Sequence, residues 1–288
     1  LAGAGDARDD GQAPAGDGEI ESREVVLAGA SENDHRFGSG GGHRRGGAPR
    51  AGPRFNIAEG PGRRPARIGR PRLPIREDAL TTDLAALFGS IDIYLFDQLL
   101  RGRVAPGMRI LDAGCGRGRN LVFFLREGYE ILALDPDAAA IEAARGLAKR
   151  LAPSLSESAF RQEPVDASSF PDACADVVLS NAVLHFARDD EQFLAMLRGS
   201  WRLLAPGGLL FCRLASSIGI EGRVRPLGGG RFALPDGTER YLVDEARLLS
   251  LTADLGGTLL DPIKTTVVQG QRAMTTWVVR KGAGNGHA

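Results

Sequence analysis

The chain has 288 residues, room for one large domain or two small ones. Thirty-six Lys and Arg balance thirty-six Asp and Glu, which argues against a generally basic binder of nucleic acid or membrane surfaces. No apolar run approaches the roughly 18 residues of a membrane helix. The three cysteines, Cys115, Cys174 and Cys212, lack C-x-x-C spacing and indicate neither a disulfide framework nor a zinc site, so a soluble, cytoplasmic protein without a metal is expected.

The charge balance hides an asymmetry. Residues 1–34 carry nine acids and two bases, and residues 43–77 carry ten Arg and two acids. Residues 1–77 are rich in Gly, Ala, Arg and Pro, with one short apolar stretch at Val25 to Leu27. Such a composition buries too little surface to offset the entropy of ordering, and a disordered tail is expected. Its Arg cluster could touch RNA or an acidic partner. The alternative is a tail without function, from a start placed too far upstream, since the chain begins with Leu1 and has no Met before Met108.

From residue 78 a folded domain is expected. Apolar residues at Leu84, Leu87, Phe88, Ile91, Leu95, Phe96 and Leu99 have helical spacing with a break near Gly89. A short strand at Met108 to Asp112, a glycine turn and a helix at Asn120 to Arg126 follow. Then come strand Glu130 to Asp135, helix Ala138 to Arg150, a short strand near Phe160, strand Ala175 to Asn181, helix Glu191 to Leu204 and strand Leu209 to Leu214. Strands separated by helices imply a parallel sheet with right-handed crossovers. After a loop-rich insert, Ser216 to Tyr241, a helix at Asp244 to Leu255 leads to strand-like runs at Leu259 to Val268 and Met274 to Arg280. These close as a hairpin through Gln269-Gly270-Gln271. The expected fold is a doubly wound α/β domain with a seven-stranded, mostly parallel sheet and a C-terminal antiparallel hairpin.

The most informative stretch is Asp112-Ala113-Gly114-Cys115-Gly116-Arg117-Gly118, between the first strand and the next helix. Glycines there let the backbone approach a ligand. Asp135, twenty-three residues beyond Asp112, closes the second strand where a carboxylate can accept both hydroxyls of a ribose. A dinucleotide fingerprint G-x-G-x-x-G would need its third glycine at Arg119, and no Lys follows for a phosphate-cradling G-x-x-x-x-G-K-[ST] loop. A nucleoside without a pyrophosphate fits better.

Together with Ala133-Leu134-Asp135-Pro136-Asp137, Val165-Asp166-Ala167-Ser168-Ser169-Phe170-Pro171 and Leu204-Ala205-Pro206-Gly207-Gly208, this turn resembles the motifs of the class I S-adenosylmethionine-dependent methyltransferases, in order and at the expected spacing. The resemblance covers about Phe88 to Lys281. Gly118-Arg119-Asn120 and Met274-Thr275-Thr276-Trp277-Val278 look most like the small-molecule branch that includes tellurite-resistance-type enzymes. The resemblance implies a Rossmann-like methyltransferase fold and S-adenosyl-L-methionine as cofactor. Gly114, Cys115 and Gly116 would pack on its methionyl part and ribose, and Asp112 would anchor the turn and reach the amino group through water. Asp135, followed by Pro136, would bind the ribose, and Asp166 with the Ala167 N–H would read the adenine edge. Ser180 and Asn181 would lie beside the transferable methyl.

A positioned nucleophile and exclusion of water are the main requirements of such chemistry. His185, four residues past Asn181, is the candidate catalytic base or substrate contact, the other reading being a hydrogen-bonded structural imidazole. Ser180-Asn181-Ala182-Val183 is not the [DN]-P-P-[YF] of amino-group methyltransferases, and no folded-region cysteine sits where a pyrimidine C5 enzyme places its nucleophile. Arg213 with Arg223, Arg225, Arg231 and Arg240 could form a basic surface that selects an acidic substrate. The expectation is a monomer or weak dimer that methylates a small molecule. RNA or protein methylation through the Arg-rich arm, and a non-catalytic binding module, are the alternatives.

Overall fold

The computed structural model describes residues 83–283; the expected tail, 1–77, lies outside them. Helices α1 (Leu84–Phe88) and α2 (Ile93–Leu100) are the broken helix of the sequence reading. Asp83 and Asp92 cap them by accepting from the Ala86 and Tyr94 N–H groups. The break at Gly89 has a structural cause: φ is +61°, and a Cβ there would lie 2.7 Å from Val122 Cγ2.

The alternating segment follows as β1 (Arg109–Ala113), α3 (Val122–Arg126), β2 (Glu130–Leu134), α4 (Ala138–Leu151), β3 (Phe160–Arg161), β4 (Ala175–Asn181), α5 (Asp190–Leu203) and β5 (Leu204–Ala215). Next come β6 (Arg225–Gly228), β7 (Arg231–Ala233), β8 (Glu239–Tyr241), α6 (Glu245–Asp254), β9 (Gly257–Leu259), β10 (Lys264–Val268) and β11 (Arg272–Lys281). The main sheet runs β10-β11-β5-β4-β1-β2-β3, with β9 also on β11. Strands β1 to β5 are parallel, and β11 is antiparallel to β5 and β10. Strand order reverses between β1 and β4, and a crevice opens at the carboxyl ends of strands at such a switch point.

Alternate residues of the central strands feed two cores. Leu111, Val178, Leu210 and Trp277 pack on the α5 and α6 side, while Ile110, Val177, Phe211 and Val278 pack with Leu95, Leu121, Phe124 and Ile141 on the other. Burial on both faces explains why these strands read as continuous apolar runs. Trp277 is fully buried, and its Nε1–H donates to Thr252 Oγ1 at 3.0 Å, tying β11 to α6.

Two expectations are corrected. The sheet has eight strands rather than seven, because the run Leu259 to Val268 is split by Asp261-Pro262 into β9 and β10, which pair with successive parts of β11. The split turns Asp261 inward, where its carboxylate accepts from Gln98, Arg101 and Arg103 and holds the end of α2. The insert is not merely loops, for β6, β7 and β8 form a separate antiparallel sheet. Its turns use Gly228-Gly229-Gly230, all at positive φ, and Asp236, which accepts from the Thr238 N–H. The Tyr241 hydroxyl donates to Asp190, and its ring stacks on Phe193 at 4.3 Å, fastening this sheet to α5.

Candidate functional site

The glycine turn is built by internal hydrogen bonds. Past Ala113 the chain reverses at Gly114, and the N–H groups of Gly114 and Cys115 both donate to the Leu134 carbonyl at 2.8 and 3.0 Å. The Gly116 N–H donates to Asp135 Oδ2 at 2.9 Å, while Asp135 Oδ1 accepts the Asp137 N–H at 3.0 Å. Asp135 thus holds the turn, the task that sequence reading gave to Asp112. With these amides engaged, the turn offers fewer N–H groups to a pyrophosphate, consistent with a nucleoside ligand. Gly116 has φ +51°, and a Cβ on it would meet nothing within 4 Å; it presents bare backbone to open space.

That space is a crevice of about 470 Å³, within the size range of small-ligand sites. Gly114, Gly116, Asp135, Pro136 and Asp166 line it, joined by Val183, Phe186 and Met196, which sequence reading did not single out. Asp166 lies in the 3-10 turn Val165–Ala167. The Ala167 N–H expected to read an adenine edge already donates to the Pro164 carbonyl at 3.1 Å. The turn rests on Gly199 of α5, where a Cβ would sit 2.3 Å from the Val165 carbonyl oxygen. Gly199→Ala is therefore expected to destabilise the domain by about 1 to 2 kcal/mol, because overpacking against backbone outweighs the gain in helix propensity. It should also weaken binding in the crevice by displacing Asp166. Urea unfolding and calorimetry check both effects, and an unchanged unfolding midpoint would mean that the turn yields freely.

Asp112 ends up behind the turn. It is 1% exposed, and neither carboxylate oxygen has a hydrogen-bond partner among the described residues. Burial, with some contribution from Asp135, pushes its pKa up to about 7 against the opposing pull of Arg119. Once ionised, a carboxylate in this position is acceptor-only and calls for a cationic donor. Cys115 is buried beside it, and its thiol donates to the Gly116 carbonyl. Burial pushes the Cys115 and Cys174 thiols upward and Cys212 up to about 12, the last eased by Ser180 opposite it on β4. None is a thiolate nucleophile at neutral pH.

His185 departs from the general-base reading. It is 5% exposed, in the 3-10 turn Leu184–Phe186 after β4, and its Nδ1 accepts the Ala215 N–H at 3.1 Å. A backbone N–H can only donate, so the ring proton is on Nε2. Burial, and to a lesser degree Arg240, drops its pKa to about 4. The neutral imidazole joins the β4 turn to β5 as an acceptor through Nδ1, and its other nitrogen, Nε2, carries the proton rather than a free lone pair.

Ser180 and Asn181, at the end of β4, are 1% and 7% exposed. Arg213 is no part of a basic surface, unlike the exposed Arg223 and Arg225. Its side chain is 13% exposed, and Nη1 donates at 2.6 Å to Asp92, whose own side chain is 1% exposed. Asn120 Oδ1 accepts the Asp92 N–H at 3.0 Å. Sequence reading missed Asp92, whose one signal was its position as an N-cap before an apolar helix.

A doubly wound sheet, a glycine turn tied to a strand-end carboxylate and an open crevice at the switch point give an α/β domain with the architecture of the methyltransferase fold. Residues 111–212 match the family model described as a methyltransferase domain. Over that span the chain is similar to the class I S-adenosylmethionine-dependent methyltransferases.

The chain is 38% identical over 119 residues to the ubiquinone biosynthesis O-methyltransferase of Methylocella silvestris, a match covering 40% of this chain and 44% of that protein. It is 27% identical over 124 residues to the tRNA 5-carboxymethoxyuridine methyltransferase of Escherichia coli strain K12, covering 43% of this chain and 46% of that protein. The chain thus spans less than half the length of these curated relatives. Among solved structures, the 1,6-didemethyltoxoflavin-N1-methyltransferase of Burkholderia thailandensis, with 1,6-didemethyltoxoflavin and S-adenosylhomocysteine bound, aligns with a TM-score of 0.51 at 23% identity. That alignment covers 70% of this chain and 80% of the other, and it shows a common fold.

Proposed function

We propose that this protein transfers a methyl group from S-adenosyl-L-methionine to a small-molecule acceptor. The observation that carries the reading is the unpartnered, buried Asp112 carboxylate behind a crevice floored by the bare backbone of Gly116. A ligand with both an ammonium and an adenosyl group meets both features. When bound, the cofactor would supply an electrophilic methyl on a sulfonium for direct transfer to the acceptor's lone pair, with S-adenosylhomocysteine as the other product.

The chain's own residues bind and align. Asp112 would receive the ammonium, and Asp135, already fixed by the Gly116 and Asp137 amides, would accept from the ribose hydroxyls. Asp166 would accept from the adenine amino group, with Pro136, Val183 and Met196 as apolar walls of the crevice. Ser180 and Asn181 would stand beside the methyl. The neutral His185 would hold the β4 turn in place rather than take a proton. An acceptor that is already a nucleophile, or that loses its proton to solvent, suits this arrangement. The reading includes a monomer or weak dimer in a reducing cytoplasm, in keeping with three free, buried cysteines and with the described residues having no helix long and apolar enough to cross a membrane.

Calorimetry with S-adenosylmethionine on the full chain tests the reading, and absence of binding would overturn it. Binding without S-adenosylhomocysteine release on any acceptor would favour a non-catalytic module. A second reading, an RNA acceptor, is supported by the tRNA-directed Escherichia coli relative and by exposed Arg223 and Arg225 in the insert. Affinity for RNA falling steeply with salt, in step with the number of phosphates neutralised, would favour it.

A further inference from the structure

Three side chains on neighbouring strands form one row across the carboxyl-end half of the sheet. Asn181 on β4 is in register with Arg213 on β5, and Arg213 with Thr276 on β11. Residues in register share a face of the sheet. It is the face of Asp112, which is opposite Leu179, two residues before Asn181. Each member of the row has a buried polar atom without a partner: Asn181 Nδ2 and Oδ1, Arg213 Nε and Thr276 Oγ1. Asn181 and Thr276 are 7% and 5% exposed. Buried polar groups are normally paired, so a cluster of unpaired ones calls for partner atoms that the described residues do not supply.

The Arg213 guanidinium is fixed from one side only. Asp92, the N-cap of α2, takes Nη1. The Tyr94 ring lies 5.2 Å from Cζ, and the Tyr94 hydroxyl is held by Thr266 at 2.6 Å. Among the described residues nothing bonds Nε, and Asp92 takes Nη1 alone, leaving the Nε–Nη2 edge without a bonded partner. That edge is the side-on fork that grips a carboxylate through two parallel N–H bonds. The Thr276 hydroxyl and the Asn181 amide add donors, so donors outnumber acceptors along the row. The complementary group is chiefly an acceptor, rich in lone pairs, with Asn181 Oδ1 the one acceptor-only atom in the row.

We propose that this row seats a carboxylate of the methyl acceptor, held side-on by Arg213, with Thr276 and Asn181 completing the contacts. The proposal rests on the methyltransferase reading and names the acceptor class within it. The cofactor's own carboxylate is the other possible source. At about 4.8 Å per strand, β5 and β11 lie about 10 and 14 Å from β1, whereas the ammonium due at Asp112 and its carboxylate share one carbon. Spacing therefore favours the acceptor.

The test uses the full chain saturated with S-adenosylhomocysteine and ¹⁵N-labelled at arginine, with formate as the probe and formamide as its neutral isostere. The Arg213 Nε–H resonance, assigned through its loss in Arg213→Lys or its displacement in Asp92→Asn, should move saturably with formate and stay in place with formamide. Thr276→Val should weaken the formate response about fivefold, as for one lost hydrogen bond. A resonance that ignores formate while S-adenosylhomocysteine still binds would overturn the proposal and leave the methyltransferase reading standing. An equal response to formamide would also overturn it. Formate binding that vanishes once S-adenosylhomocysteine is present would assign the row to the cofactor's carboxylate and remove the acceptor claim. If S-adenosylhomocysteine itself does not bind, the methyltransferase reading falls and takes the proposal with it.

Discussion

Asp135→Ala should lower the affinity for S-adenosylmethionine and S-adenosylhomocysteine about 100-fold or more. The carboxylate has two tasks. It accepts the Gly116 and Asp137 N–H groups, setting the glycine turn against the end of β2, and its remaining lone pairs face the crevice that it lines. Losing two hydrogen bonds to a charged group, at about 1.5 kcal/mol or more each, gives about 3 kcal/mol, or two decades in affinity. The freed Gly116 amide would let the turn relax and add to the loss. Asp135→Asn retains the shape and one acceptor oxygen and should fall between the two. Calorimetry on the three proteins checks this order. An Asp135→Ala affinity within about twofold of the wild type, about 0.4 kcal/mol, would remove the ribose assignment.

Asp112→Asn should change how stability depends on pH. In the wild type two buried groups act in opposite directions. Asp112 ionises near 3.8 when unfolded and at about 7 when folded, so its contribution is full below about 3.8 and is lost as pH rises through about 7. His185 titrates near 6.5 unfolded and at about 4 folded. Its contribution is full above about 6.5 and is lost as pH falls through about 4. Between these limits the unfolded chain holds one more proton on His185 and one fewer on Asp112, so the two slopes nearly cancel. Removing the acid uncovers the imidazole. The cofactor-free Asp112→Asn protein should gain on the wild type by about 1 kcal/mol for each pH unit from about 4 to about 7. Saturating S-adenosylmethionine should shrink the gain, because an ammonium beside Asp112 favours its ionised form. Urea unfolding across this range is the measurement. Parallel curves for the two proteins would mean that Asp112 is not a buried, unpaired acid.

Both predictions concern residues visible in the sequence, yet the division of labour between them was not. The acid before the glycines and the acid closing β2 are both legible, because a nucleoside needs acceptors at those points of a parallel sheet. Sequence gave the turn-holding task to Asp112. In the fold, Asp135 lies close enough to Gly116 to take that amide, and Asp112 is left behind the turn with no donor in reach. His185 was legible as a residue near the β4 end but not in its protonation, which depends on the Ala215 N–H on β5, thirty residues further on. Arg213 read as one of several arginines. Only the docking of α2, bringing Asp92 from 121 positions away, makes it a buried, oriented guanidinium.

Local order and periodicity determined the element sequence, the break at Gly89, the crossover topology and the glycine turn, because each depends on residues a few positions apart. Contacts between distant segments decided the rest. The split of the edge strand follows from Asp261 meeting α2, and the crevice walls come from the β4 turn and α5. The unpaired row of Asn181, Arg213 and Thr276 exists only because β4, β5 and β11 align in register. Patterning reports which face a residue occupies. Whether a polar group on that face finds a partner depends on which segments pack over it.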